Sequence, residues 1–162
     1  MGFKFLDGEI GEITRTDAHT YDIHTEVVID APPETVWGVL TDFDRLAEWS
    51  NNFIGLEGDF KDGGQVTVEF KTLGEHSTTL DHELKFFEEG RSFGWSDPLL
   101  PGIADRHLYQ VNPTDDGKTQ FVQNDQVHGH MAPIIGHQLA KATMQSYVLF
   151  NRALKERAEA MA

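Results

Sequence analysis

The stretch VIDAPPETVW, residues 28–37, marks the passage from a strand into a helix. Proline is pre-organised for the first helical position, and the acidic residue that follows suits the helix dipole, so the sequence predicts a helix start at Pro33. Val36 and Leu40 then fall on one helical face, and the helix is predicted to end near Thr41.

The segments on either side of this stretch extend the prediction. A second short helix is predicted over residues 44–49, with Asp42 as its N-cap. Upstream, residues 21–30 alternate between apolar and polar side chains, which is the pattern of a half-buried strand. Residues 1–20 are predicted to be an N-terminal extension, with at most a loosely attached strand, and residues 21–162 to form a single domain.

Downstream, the chain is predicted to form further strands and one long helix. The strands are predicted at residues 53–58, 65–73, 78–88, 93–95, 103–111 and 119–130, separated by turn residues. Residues 134–160 contain no proline and repeat mostly apolar side chains at helical spacing, so they predict a helix of about 40 Å. The predicted stripe comprises Ile135, Leu139, Ala142, Ser146, Leu149, Phe150, Ala153 and Leu154. This order predicts an α+β, helix-grip fold in which a curved seven-stranded antiparallel sheet wraps a long C-terminal helix, with two short helices after the first strand.

Composition excludes several classes of function. The 27 acidic and 13 basic residues give a formal charge of −14, which repels nucleic-acid backbones and anionic lipid surfaces. The absence of cysteine excludes disulfides, thiolate nucleophiles and cysteine-ligated metals. No segment approaches the roughly 20 apolar residues that span a bilayer, so no membrane insertion is expected and a cytoplasmic location is predicted.

The order of elements resembles the SRPBCC, or START-like, superfamily, and within it the bacterial polyketide cyclase/dehydrase-like group. The resemblance rests on residues 28–37, on the LTDF and EW pieces at 40–43 and 48–49, on HLY at 107–109 and on FNRALKERAE at 150–159. It implies a pocket between the sheet and the long helix. Members of the superfamily include lipid carriers, hormone receptors, cyclases, oxygenase subunits and co-chaperone activators, and the catalytic residues of the aromatic cyclases match no motif here.

Several polar side chains are predicted to face this pocket, because residues two apart on a strand share a face. We predict His82, His107 and Asp125 as catalytic residues for proton removal next to a carbonyl. In that hypothesis either histidine is the base, Asp125 orients it, and Tyr109 hydrogen-bonds the developing enolate. The remaining ligand-binding residues are predicted to be Leu80, Leu84, Phe70, Trp95, Tyr109, Gln123, Leu139 and Thr143.

Metal and cofactor sites are not predicted. His128 and His130 project from one strand face and could chelate a metal, but two histidines without nearby carboxylates are more typical of exposed residues at a strand end. The glycine pairs lack the spacing of a phosphate-binding loop, so no nucleotide cofactor is expected.

The sequence leaves three functions open. The first is binding of a small hydrophobic or amphipathic ligand, such as a lipid or an apolar metabolite with polar groups. The second is a polyketide cyclase or dehydratase, so whether the protein is an enzyme stays undecided at this point. The third is a co-chaperone-like interaction module that uses the acidic surface; a homodimer is also compatible with the sequence.

Overall fold

The computed structural model describes residues 2–71, 76–100 and 102–162, and at 97–100 it describes the backbone alone. The first strands and helices follow the order of the sequence prediction. The elements are β1 (Glu9–Asp17), β2 (Thr20–Ile29), α1 (Pro33–Leu40), a 3₁₀ helix (Phe43–Glu48), β3 (Phe53–Gly58), β4 (Gln65–Lys71), β5 (Ser77–Glu83), β6 (Lys85–Glu88), β7 (Ser92–Leu100), β8 (Ile103–Pro113), β9 (Thr119–His128), a π-helical turn (Ala132–Gly136) and α2 (His137–Met161).

All described strands pair antiparallel in two sheets. The larger sheet has the order β1-β2-β9-β8-β7-β6, and the smaller sheet has the order β3-β4-β5. The α+β helix-grip fold, with α2 packed on the curved sheet, is confirmed. The prediction of one seven-stranded sheet was wrong in detail, since the described chain forms nine strands in two sheets.

Two local features account for the difference in strand number. The segment predicted as one strand over 78–88 divides at Leu84, and Phe86 has a φ of 57°, in the left-handed region that a phenylalanine rarely adopts. The alternation of side chains stops there, and the chain leaves the smaller sheet for the edge of the larger one. The second feature is β1, which forms within the segment predicted as an extension and pairs along β2 from Glu9 to Asp17.

The N-terminal segment also contacts the long helix. The guanidinium of Arg152 on α2 binds both carboxylate oxygens of Glu9, each at 2.8 Å. The ring of Phe5 lies over Gly11, where a Cβ atom would meet it at 2.8 Å. A side chain at position 11 would displace this ring, so the segment before β1 packs back on its own strand.

The interior contains two apolar clusters separated by buried polar side chains. Along β2, Ile23 belongs to the smaller cluster and Val27 to the larger one, and the buried hydroxyl of Thr25 lies between them. The same sequence of apolar, polar and apolar side chains occurs on β8 and β9. We call the intervening residues the polar belt: Thr25, Asp105, His107, Gln123, Asp125 and Asn151.

Helix α2 closes the concave face of the sheet with a stripe at intervals of three and four residues. The stripe comprises Gly136, Ala140, Met144, Tyr147, Asn151, Leu154 and Ala158, all buried. The sequence prediction placed Ala142 and Leu149 on the buried face, but both are exposed. The buried face therefore includes two polar side chains, Tyr147 and Asn151, because the helix is rotated relative to that prediction.

Candidate functional site

Four side chains of the polar belt form a continuous hydrogen-bonded network. His107 Nε2 lies 2.8 Å from Gln123 Oε1, and Gln123 Nε2 donates to Asn151 Oδ1 at 2.9 Å. Asn151 Nδ2 donates to Thr25 Oγ1 at 2.9 Å, and that hydroxyl donates to the Gln123 carbonyl oxygen at 2.7 Å. The network links three strands and α2 through side chains that are almost entirely buried.

This network determines which nitrogen of His107 carries the proton. The amide NH₂ of Gln123 is directed at Asn151, so its oxygen is left to accept a hydrogen bond from the imidazole. Nε2 is therefore the protonated nitrogen and Nδ1 carries the lone pair. Burial lowers the pKa of His107 to about 3, so the ring is neutral near pH 7.

Asp125 lies beside this lone pair and has a different environment. One carboxylate oxygen accepts the backbone N–H of Arg106 at 3.1 Å, and the other accepts the hydroxyl of Tyr147 at 2.5 Å. Burial raises the pKa of Asp125 to about 6, although these hydrogen bonds and one from Asp105 act in the opposite direction. Among the belt residues it is thus a carboxyl that titrates close to neutral pH.

Two tyrosines complete the polar surface around the belt. Tyr147 stacks on His107 with ring centroids 4.7 Å apart, and its hydroxyl lies 3.4 Å from Nδ1. Tyr109 packs 4.4 Å from the same ring and is fully buried, and its hydroxyl has no hydrogen-bond partner among the described residues. Burial raises the pKa of both phenols, so each remains a neutral donor.

The structure brings most of the predicted catalytic residues together. His107 and Asp125 share the belt, whereas His82 comes from β5 in the smaller sheet. The His82 ring stacks on Trp95 at 5.4 Å, and Trp95 contacts His107 at 5.2 Å. The indole therefore lies between the two imidazoles.

The predicted ligand-binding residues occupy different depths. Tyr109, Gln123, Leu84 and Trp95 are buried, while Leu80, Phe70, Leu139 and Thr143 are half-buried. Phe70 packs on Trp95 at 6.0 Å, and Leu139 packs against the smaller apolar cluster. His128 and His130 lie elsewhere, at a surface pocket beside His19.

The sequence prediction missed three belt residues, Thr25, Asp105 and Asn151, and the adjacent Tyr147. Thr25 and Asp105 lie on predicted inward-facing rows, so the strand period could have found them. Tyr147 and Asn151 lie on the buried stripe of α2. They were missed because the predicted stripe included Leu149, which is exposed in the structure.

Three belt residues could hold a metal ion. Asp105, His107 and Asp125 are buried, and each offers one ligand atom within 4.8 Å of the others. Side chains around them are in close contact, since Tyr109, Gln123 and Phe121 have no exposed surface. An organic ligand would reach the belt only if α2 and the sheet moved apart, whereas a metal ion would need far less space.

None of the helices in the described part of the chain is long and apolar enough to cross a membrane.

Solved structures share this architecture at low sequence identity. A START superfamily protein from Mycobacterium smegmatis is 16% identical, with a TM-score of 0.68 over 87% of this chain and 99% of that one. The Zhui aromatase/cyclase from Streptomyces sp. R1128 is 18% identical, with a TM-score of 0.69 over 87% of this chain and 94% of that one. A protein of unknown function from Staphylococcus aureus is 13% identical, with a TM-score of 0.62 over 93% and 96% of the two chains. Comparison with curated proteins gives no match.

A family model also matches most of this chain. The model for polyketide cyclase/dehydrase and lipid transport matches residues 20–159, which include all six belt residues and most of α2. The polar belt is thus part of the matched region, and the chain belongs to the polyketide cyclase/dehydrase and lipid transport family.

Proposed function

We propose that this protein binds a small, largely apolar molecule with polar groups between the concave sheet and α2. The observation that carries the proposal is the polar belt between two apolar clusters. Buried polar groups cost stability unless they are hydrogen-bonded, and an apolar core of the same shape would avoid that cost. A mixed polar and apolar interior is the surface that such a ligand requires.

The chemistry of the belt narrows the ligand to a neutral molecule. Asp105 and Asp125 would repel a carboxylate, whereas they accept hydrogen bonds from hydroxyl groups. The free hydroxyl of Tyr109 could donate to a carbonyl oxygen. With Trp95 and Tyr147 adjacent to His107, the surroundings are aromatic, so a planar hydroxy-carbonyl compound fits these groups best.

Binding can be tested with a neutral dihydroxyanthraquinone as the probe. Quenching of tryptophan emission is expected to saturate at one molecule per chain, because Trp95 contacts the belt. Gln123→Leu and Tyr109→Phe are each expected to weaken binding about tenfold, the loss of roughly one hydrogen bond. His130→Gln, at the surface pocket, is the matched control and is expected to leave affinity unchanged.

Circular dichroism checks that each variant is folded. If neither the anthraquinone nor the apolar dye Nile red binds saturably, or if both belt variants bind as the wild type does, ligand binding at the belt is wrong.

A second candidate function is a cyclase or dehydratase, favoured by the convergence of Asp125, His107 and Tyr147. The Asp125 carboxyl has a pKa of about 6, so it is suited to remove a proton next to a substrate carbonyl at neutral pH. His107 suits that role less well, because burial lowers its pKa to about 3. In this scheme Tyr109 hydrogen-bonds the enolate oxygen, and protonated Asp125 returns the proton to the departing hydroxyl.

Turnover and binding separate the two candidates. A hydroxy-ketone that can lose water is the test substrate, followed by its absorbance change. Asp125→Asn is expected to abolish turnover while the anthraquinone still binds, and Asn112→Ala is the control outside the belt. If Asp125→Asn turns over the substrate as the wild type does, or if the wild type shows no turnover, the catalytic scheme is wrong and only the binding function remains.

A further inference from the structure

Asp105, His107 and Asp125 are spaced for a metal ion. Their ligand atoms lie within 4.8 Å of one another. A tetrahedral ion with bonds of about 2.1 Å holds its ligand atoms roughly 3.4 Å apart, so small side-chain rotations would bring these atoms into its coordination sphere.

The imidazole of His107 is already oriented as a metal ligand. Histidine ligands usually donate their second ring N–H to a neighbouring oxygen, which fixes the tautomer and directs the other nitrogen at the metal. Here Nε2 donates to Gln123 Oε1 at 2.8 Å, and Asn151 and Thr25 hold that amide in place. The lone pair on Nδ1 is thereby directed toward Tyr147 and Asp125.

The hydrogen-bond contact of that lone pair is long. The Tyr147 hydroxyl lies 3.4 Å from Nδ1, and it donates its single hydrogen to Asp125 Oδ2 at 2.5 Å. His107 is only 2% exposed, so solvent does not supply a donor. Beside this ring, the buried hydroxyl of Tyr109 has no hydrogen-bond partner among the residues that the structure describes. This unpaired hydroxyl is independent of the acidic residues and indicates a further occupant.

We propose that Asp105, His107 and Asp125 bind one divalent transition-metal ion, with zinc as the best match. A dication balances two carboxylates beside a neutral imidazole, which leaves the buried group without net charge. One nitrogen and two oxygen ligands suit zinc better than calcium or magnesium, which take oxygen ligands alone. The Tyr147 hydroxyl contacts two of the three candidate ligands, at 3.4 Å from His107 Nδ1 and 2.5 Å from Asp125 Oδ2.

The test is zinc binding by the full chain, without any organic ligand. Chelator-treated protein is titrated with Zn²⁺ in competition with a chromophoric chelator. One equivalent per chain is expected, and His107→Gln and Asp125→Asn are each expected to weaken binding at least about 100-fold. A variant with His128→Gln and His130→Gln is the matched control and should bind as the wild type does, since these histidines lie at the surface pocket.

A measurement on the wild type keeps the test decisive if a belt variant does not fold. X-ray absorption at the zinc edge is expected to show one imidazole and otherwise oxygen ligands. Two or more imidazoles, loss of binding in the surface-histidine variant, or no binding at all would overturn the proposal. Because no organic ligand is present, none of these results depends on the proposed function.

Discussion

At the scale of single residues, burial acts on His107 and Asp125 in opposite directions. Burial disfavours the charged form of each, which lowers the pKa of the imidazole to about 3 and raises that of the carboxyl to about 6. Between about pH 4 and 6, the folded state binds more protons than the unfolded state at Asp125, and fewer at His107. As pH rises, the contribution of Asp125 to the free energy of unfolding therefore decreases, and that of His107 increases.

This opposition predicts pH slopes of opposite sign in two variants of the metal-free protein. Compared with the wild type, Asp125→Asn is expected to gain stability more steeply as pH rises from about 4 to 6, because His107 remains. His107→Gln is expected to lose stability over the same range, because Asp125 remains. The limit is about 1.4 kcal/mol per pH unit for each group.

Urea unfolding at several pH values in the presence of a chelator measures these slopes. The non-titrating residue Asn112 gives the control variant Asn112→Ala, whose slope should equal that of the wild type. Equal slopes in both belt variants would show that neither group titrates as the structure indicates.

Asn151 hydrogen-bonds two other polar side chains of the belt, which predicts a large effect for its removal. Asn151→Ala leaves the Gln123 amide without its acceptor and Thr25 without its donor, both inside the protein. The expected destabilisation is about 3 kcal/mol in urea unfolding. Asn112→Ala, at a half-buried site whose amide is 3.4 Å from Gln120, is the control and should stay within about 0.5 kcal/mol of the wild type.

At the scale of elements, the Arg152–Glu9 pair attaches β1 to α2. The Glu9 side chain is only 3% exposed, so Arg152→Met would leave a carboxylate with little solvent and no cation. The expected loss is about 2 kcal/mol, with faster amide exchange in β1.

Arg157→Met on the same helix supplies a matched control for this prediction. Arg157 contacts Glu48, whose side chain is 52% exposed, so its removal should cost less than about 0.5 kcal/mol. Similar losses in the two variants would indicate that the Glu9 pair behaves as an ordinary surface pair.

Most elements could be predicted from periodicity and turn residues, and the exceptions have local causes. Residues 28–37 correctly marked the β2-to-α1 junction, since prolines restrict the backbone through covalent geometry. The break at Phe86 was not predictable, because only the pairing of distant strands maintains its positive φ. Strand β1 was missed because its side chains are mostly exposed and show little apolar alternation.

The candidate site was predictable to the extent that it lies on strands. The period of two placed His107, Tyr109, Gln123 and Asp125 on the inner face, and the structure has them buried there. Their roles as catalytic or ligand-binding residues stay predictions. The contribution of α2 was missed because a helix tolerates several choices of apolar stripe, and the true one includes polar residues.

At the scale of the whole molecule, the formal charge of −14 predicts stabilisation by salt. Repulsion among acidic groups opposes the compact state, and ions screen it. Raising potassium chloride from low concentration to about 1 M is expected to increase the thermal midpoint by on the order of 5 °C. The same titration near the isoelectric point of 4.8 is the control, where the increase should largely disappear. No increase at neutral pH would contradict the prediction.

The separation of the core by the polar belt also has a kinetic consequence. One strand, β9, crosses both apolar clusters, with Phe121 in the larger and Val127 in the smaller. Native-state hydrogen exchange is expected to show two protection levels along it, slower at Phe121 and faster at Val127, because the smaller cluster can open alone. A single level at both would mean that the molecule opens only as a whole. With two levels, local opening at the smaller cluster would give access to the interior, while the larger cluster would stay packed.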